Sequence, residues 1–125
     1  GIGGGIVDFY KCKGFTNNAR PLPSPDGDPD TPENFDNLKS QCYFRLADRV
    51  NKNEIYIECN DPEIKQMIIE ELEQVKQKAL DSDLKKGVVP KDKVKELLGR
   101  SPDFADTMMM REWFALQPEL NWLPH

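Results

Sequence analysis

The chain has 125 residues, enough for one domain, with 38% hydrophobic and 31% charged residues, so some segments must lie outside the core. With 17 basic and 22 acidic residues, a net charge of −5 argues against a surface that coats nucleic acid indiscriminately. No apolar run approaches the roughly 18 residues of a membrane span, and no basic-then-apolar leader opens the sequence, so neither a membrane partner nor a secretory signal is expected.

Residues 2–13 open on Gly3, Gly4 and Gly5 and continue with Ile6, Val7, Phe9 and Tyr10, which reads as a tight turn feeding a short helix. No Lys-Ser/Thr pair follows the glycines and no strand precedes them, so the match to a phosphate-binding loop is poor. Phe15 and Thr16 read as the start of a short strand.

Residues 20–36 hold five of the ten prolines and five acids against one base, the composition of a surface loop rather than a domain boundary. Over 35–51, Phe35, Leu38, Cys42, Leu46 and Val50 recur at spacings of three and four, predicting a helix with Lys39, Arg45 and Arg49 off its apolar stripe. From Glu54 to Cys59, Ile55, Ile57 and Cys59 alternate with Glu54, Tyr56 and Glu58, the pattern of a half-buried strand.

Asn60-Asp61-Pro62 is a helix start, and Ile64, Ile68, Leu72, Val75 and Ala79 carry the stripe to about residue 80. Residues 53–84 contain nine acids and three bases, read as a solvated acidic outer face. Residues 85–100 invert the balance with six bases against two acids. Val88-Val89 suggests a strand, Pro90 to Leu98 a short helix stopped by Gly99, and Ser101 the cap of a last helix running to about Leu116.

Three cysteines, Cys12, Cys42 and Cys59, form no C-x-x-C pair, which argues against a disulfide framework or zinc knuckle. His125 is the only histidine and the last residue, a poor base for a histidine-dependent triad. Chemistry in this chain would fall to carboxylates.

The last helix supplies two. On a helical wheel, residues 102–116 are apolar in nearly every direction, the mark of a buried helix, yet Asp103 and Asp106 stand in its first turn and a half. A helix N-terminus favours negative charge by about 0.3–1 kcal/mol, too little to offset a desolvated carboxylate. Something positive, a basic side chain or a cation, is therefore expected beside them. The competing reading makes both ordinary helix-start acids exposed at the mouth.

The stretch Leu98-Gly99-Arg100-Ser101-Pro102-Asp103-Phe104-Ala105-Asp106-Thr107-Met108-Met109 closely resembles a motif near the C-terminus of phage terminase large subunits, roughly G-x-S-P-D-x-A-D-A-x-x-M. Residues 1–9 (GIGGGIVDF) resemble the family's glycine turn, residues 37–43 (NLKSQCY) its N-L-x-x-x-x-Y helix, and residues 89–95 (VPKDKVK) its short strand and K-x-x-x-K helix, in the family's order.

The resemblance implies an α/β chain: a partial ribonuclease-H-like fold, with a short sheet packed by helices, all of residues 1–125 forming the C-terminal portion of the nuclease domain. The family nuclease cuts concatemeric viral DNA for packaging with two divalent ions, Mg²⁺ or Mn²⁺, held by acids. Asp106 matches the last catalytic and metal-binding acid, and Asp103 a position that supports the same metal site in some members. Lys39, Arg45, Arg49, Lys91, Lys93, Lys95 and Arg100 are candidate contacts to double-stranded DNA.

The family's partners are its ATPase domain, the small subunit and the portal, and its setting is the bacterial host cytoplasm. No Walker motif is present, and the family's first two acids match positions before Gly1. Asp8 matches neither. The expectation is therefore a chain inactive or very weakly active alone, with an exposed sheet edge that leads either to self-association as a homo-oligomer or to a compensating rearrangement. The alternative is a non-catalytic protein-interaction module or a degenerate prophage remnant.

Overall fold

The computed structural model describes residues 16–80 and 84–117; the expected glycine turn and first helix, residues 2–13, lie outside them. Four helices organise the described chain: α1 (Leu38–Asn51), α2 (Pro62–Gln74), α3 (Lys91–Leu98) and α4 (Asp103–Ala115). Helix α4 packs against α1 and α2, and α2 also meets α3.

Local chemistry explains most boundaries. The Asn37 side chain accepts from Ser40 N at 2.8 Å and caps α1. At the far end Asn53 takes a left-handed φ of 57° as the chain turns away. Asp61 accepts from Glu63 N at 2.9 Å, with Pro62 in the first turn of α2. Gly99, at φ 73°, closes α3 with its N–H on Lys95 O.

Leu38, Cys42, Tyr43 and Leu46 of α1 form the core with Ala105 and Met109 of α4 and with Leu116. Cys42 is buried in this core, Cys59 is only half-buried, and both thiols are free. Buried Gln41 pins the proline-rich loop: it accepts from Leu22 N and donates to Leu22 O, both at 2.8 Å, and also donates to Glu33. This loop is thus fastened to α1 at both its ends, Leu22 and Glu33, which also bond each other through their backbones.

The expected α/β architecture is overturned. The described residues are helical and contain no strand; their β pairing is limited to isolated bridges, Pro23 with Pro32, Phe35 with Lys86 and Gln77 with Val88. A strand needs a ladder partner for its backbone groups. Residues 54–59 have none among the described residues. Their alternation is not buried as a face either: Ile55 rests against the core, but Ile57 is exposed and Tyr56 is 88% exposed. Val88 pairs with Gln77 alone before Pro90 leads the chain into α3. The sheet edge expected to drive self-association therefore has no sheet to belong to among the described residues.

Helix α2 also stops at Gln74, short of residue 80. Lys78 N bonds to Gly87 O at 3.0 Å and Val89 N to Lys76 O at 2.8 Å, so residues 76–78 are drawn into extended pairing with 87–89. A Cβ at Gly87 would meet Asp36 and Lys78, whose salt bridge lies beside it, so a larger residue there would have to displace that pair.

Candidate functional site

Helix α4 begins without a side-chain cap from its own segment: Ser101 does not serve, and Pro102 precedes the first turn. The cap comes from α2. The Glu71 carboxylate, fully buried, accepts from Phe104 N at 2.8 Å and from Ala105 N at 3.1 Å. Arg100 donates to its other oxygen, and also lies 3.6 Å from Glu70. A negative charge at a helix N-terminus together with a guanidinium partner makes this burial tolerable.

The residue following the capped turn is Asp106. Its carboxylate, 14% exposed, accepts from the Tyr43 hydroxyl of α1 at 2.6 Å through one oxygen, and from Lys91 Nζ of α3 at 2.8 Å through the other. The positive partner that the sequence called for is therefore Lys91. Burial and the adjoining Asp106 charge push the Tyr43 phenol far above its ordinary pKa, so it stays a donor.

Lys39 completes the group. Its ammonium lies 5.9 Å from the Tyr43 ring centroid, between the attraction of Asp106 and the repulsion of Lys91. Burial pulls its pKa below the ordinary value of 10.5, Asp106 acting against that shift and Lys91 adding to it.

The other expected site residues are distributed differently. Asp103 is exposed and makes no side-chain hydrogen bond or ion pair among the described residues, so it does not join Asp106 in one clamped pair. Arg49 Nε donates to both oxygens of Glu112, each at 2.8 Å, and Arg45 Nε stands 3.9 Å from the same carboxylate. Glu112 is only 2% exposed. Arg45, Arg49 and Arg100 thus tie α4 to its neighbours through buried acids, whereas Lys93 and Lys95 are exposed on α3.

Sequence reading missed Glu71 and Glu112, yet both carried a signal. Glu71 sits three residues after Ile68 and Glu112 three after Met109, each on a buried helical face where a lone acid demands a partner.

No family model matches the chain, and no curated protein matches it. A solved structure does: a mutant nuclease domain of the large terminase subunit gp2 of bacterial virus Sf6, with manganese. The TM-score is 0.56 at 24% identity, covering 77% of this chain and 50% of that one. The described chain therefore shares the fold of part of a phage terminase nuclease domain, and it spans half the length of the structure it matches.

The described residues do not by themselves make a metal centre. They contain no group of three or more His, Cys, Asp or Glu side chains placed to hold an ion. Asp106 already spends one oxygen on a hydroxyl and the other on an ammonium. It can supply one ligand of a divalent site, but not the site. Among the described residues no helix is long and apolar enough to cross a membrane.

Proposed function

We propose that the chain is the C-terminal part of a phage or prophage terminase nuclease, in which Asp106 is the carboxylate reserved for a divalent cation, Mg²⁺ or Mn²⁺, beside double-stranded DNA. The observation that carries this reading is the Tyr43–Asp106–Lys91 clamp. Three helices contribute one residue each, and the acid they hold is the one the motif resemblance marks. The likeness of fold to a nuclease domain solved with manganese supports it independently of the motif.

In this reading Asp106 acts with acids from outside the described residues, and Lys91 holds its place as a counter-charge. Asp103 offers an exposed auxiliary carboxylate one step earlier. Two hard cations need more oxygen ligands than one clamped carboxylate provides, and the behaviour expected of the 125-residue chain alone is no or very weak nuclease activity. The ATPase domain, small subunit and portal are the partners this assignment carries, in a bacterial host.

A second reading has its own support: Asp106 is already neutralised by Lys91, as in a purely structural ion pair. The chain is then a non-catalytic interaction module. Mn²⁺ titration of wild type and Asp106→Asn separates the two readings, and incubation of supercoiled plasmid with the purified chain and Mg²⁺ or Mn²⁺ tests the inactivity expected under the first. Little or no nicking is expected. Vigorous cutting that disappears in Asp106→Ala would overturn the proposed inactivity while keeping Asp106 catalytic.

A further inference from the structure

Beside the Asp106 clamp, a cleft of about 410 Å³ opens between the start of α1 and residues 86–91. Lys39, Lys78 and Lys91 line it, together with Asn17 and Asn18. Two acids face these lysines: Asp36 pairs with Lys78, and Asp106 pairs with Lys91. Lys39 is half-buried beside Lys91 and forms no salt bridge among the described residues. One positive charge is therefore left over at this cleft, whose wall also includes Val88, Val89 and Pro90.

We propose that this cleft holds a backbone phosphate of bound nucleic acid, with Lys39 as its main charge contact and Asn17 and Asn18 as amide donors. The proposal rests on the nucleic-acid reading above, and assigns the contact to Lys39 rather than to Arg45, Arg49 or Arg100. Arg49 and Arg100 each hold a buried acid, so releasing either to a phosphate would strand a carboxylate, and Arg45 stands 3.9 Å from the Glu112 carboxylate on the α4 side. Lys39 strands nothing. A bound phosphate would also offset the repulsion between Lys39 and Lys91.

The adjoining Asp106 would then lie next to the phosphodiester chain that the cleft fixes in place. A free oxyanion has the same chemistry as a backbone phosphate, so the test must separate the two.

The experiment is fluorescence anisotropy of a short labelled DNA duplex with the full chain, in chelator, across about 50 to 200 mM salt. Because metal is withheld, loss of a cation site at Asp106 would leave this result untouched, and the two readings fail separately. Lys39→Gln is expected to weaken binding several-fold at low salt and to flatten the log–log salt slope by about 0.9, one phosphate's share. Lys39→Arg should restore most of both. Thermal melts confirm that each variant is folded. An unchanged slope and affinity in folded Lys39→Gln, or no duplex binding by the wild type, would overturn the proposal. So would inorganic phosphate shifting the Lys39 amide and side-chain NMR signals where duplex does not.

Discussion

Tyr43 and Asp106 stand 63 residues apart in sequence and are joined by a 2.6 Å hydrogen bond that links α1 to the first turns of α4. A hydrogen bond to a charged acceptor contributes about 1.5–3 kcal/mol. Tyr43→Phe keeps the ring in the core but removes the donor. Urea unfolding should show a loss of that size, and Asp106→Asn should reduce the further cost of the Tyr43 change, because the two act through one bond. Full additivity of the two substitutions would mean that the contact carries no coupling.

Glu71 acts on the same helix from the opposite side. Glu71→Ala removes the cap from Phe104 and Ala105 and leaves Arg100 without its main partner, so a destabilisation of about 3–5 kcal/mol is expected. Glu71→Gln should cost less, since an amide oxygen still accepts from both N–H groups. Equilibrium urea curves distinguish these outcomes; equal and small effects would deny the capping role.

Glu112 makes the corresponding prediction for the arginines. Glu112→Gln should cost about 2–3 kcal/mol, because Arg49 loses a two-oxygen charged acceptor in a mostly buried setting. Arg49→Gln should destabilise comparably and show strong coupling in a double-mutant cycle. Weakened duplex binding by Arg49→Gln without any loss of stability would move this residue to the DNA surface instead.

Alkaline pH reads the buried core. The folded state holds the Cys42 proton to about 12 against an ordinary value of 9.0, chiefly through burial, and holds the Tyr43 proton well beyond its ordinary 10.0. The unfolded chain therefore releases protons first. Stability should be intact below pH 9 and fall above it, by about 1.4 kcal/mol per pH unit for each group in its window. Lys39 works oppositely, since its folded pKa is depressed, and it partly offsets the fall up to its ordinary 10.5. Unfolding curves from pH 8 upward should flatten above pH 10 in Tyr43→Phe relative to wild type.

The helix boundaries were legible because their causes are local. Asn37, Asp61, Pro62 and Gly99 each act within a few residues of where they stand. Asp106 was legible for another reason: an acid in an otherwise greasy helix is expensive without a partner. Which partner it takes, and that Asp103 is left exposed, depends on where α1 and α3 arrive. Ile55 and Ile57 misled because alternation records side-chain chemistry and says nothing about whether a neighbouring backbone is present. The residues that hold α4, Glu71 and Arg100, are 29 apart. The place of Glu71 on a buried helical face signals a need for a partner, but that Arg100 supplies it shows only where the helices cross.

In the proposed nuclease reading, Asp106 is a carboxylate kept for a cation, with Lys91 standing in as its counter-charge. Calorimetric titration of Mn²⁺ into wild type, Asp106→Asn and Lys91→Ala tests it most directly. Weak binding by the wild type, none by Asp106→Asn, and tighter binding by Lys91→Ala, where the competing ammonium is gone, are expected. No binding heat in any of the three, with stability unmoved by Asp106→Asn, would contradict it.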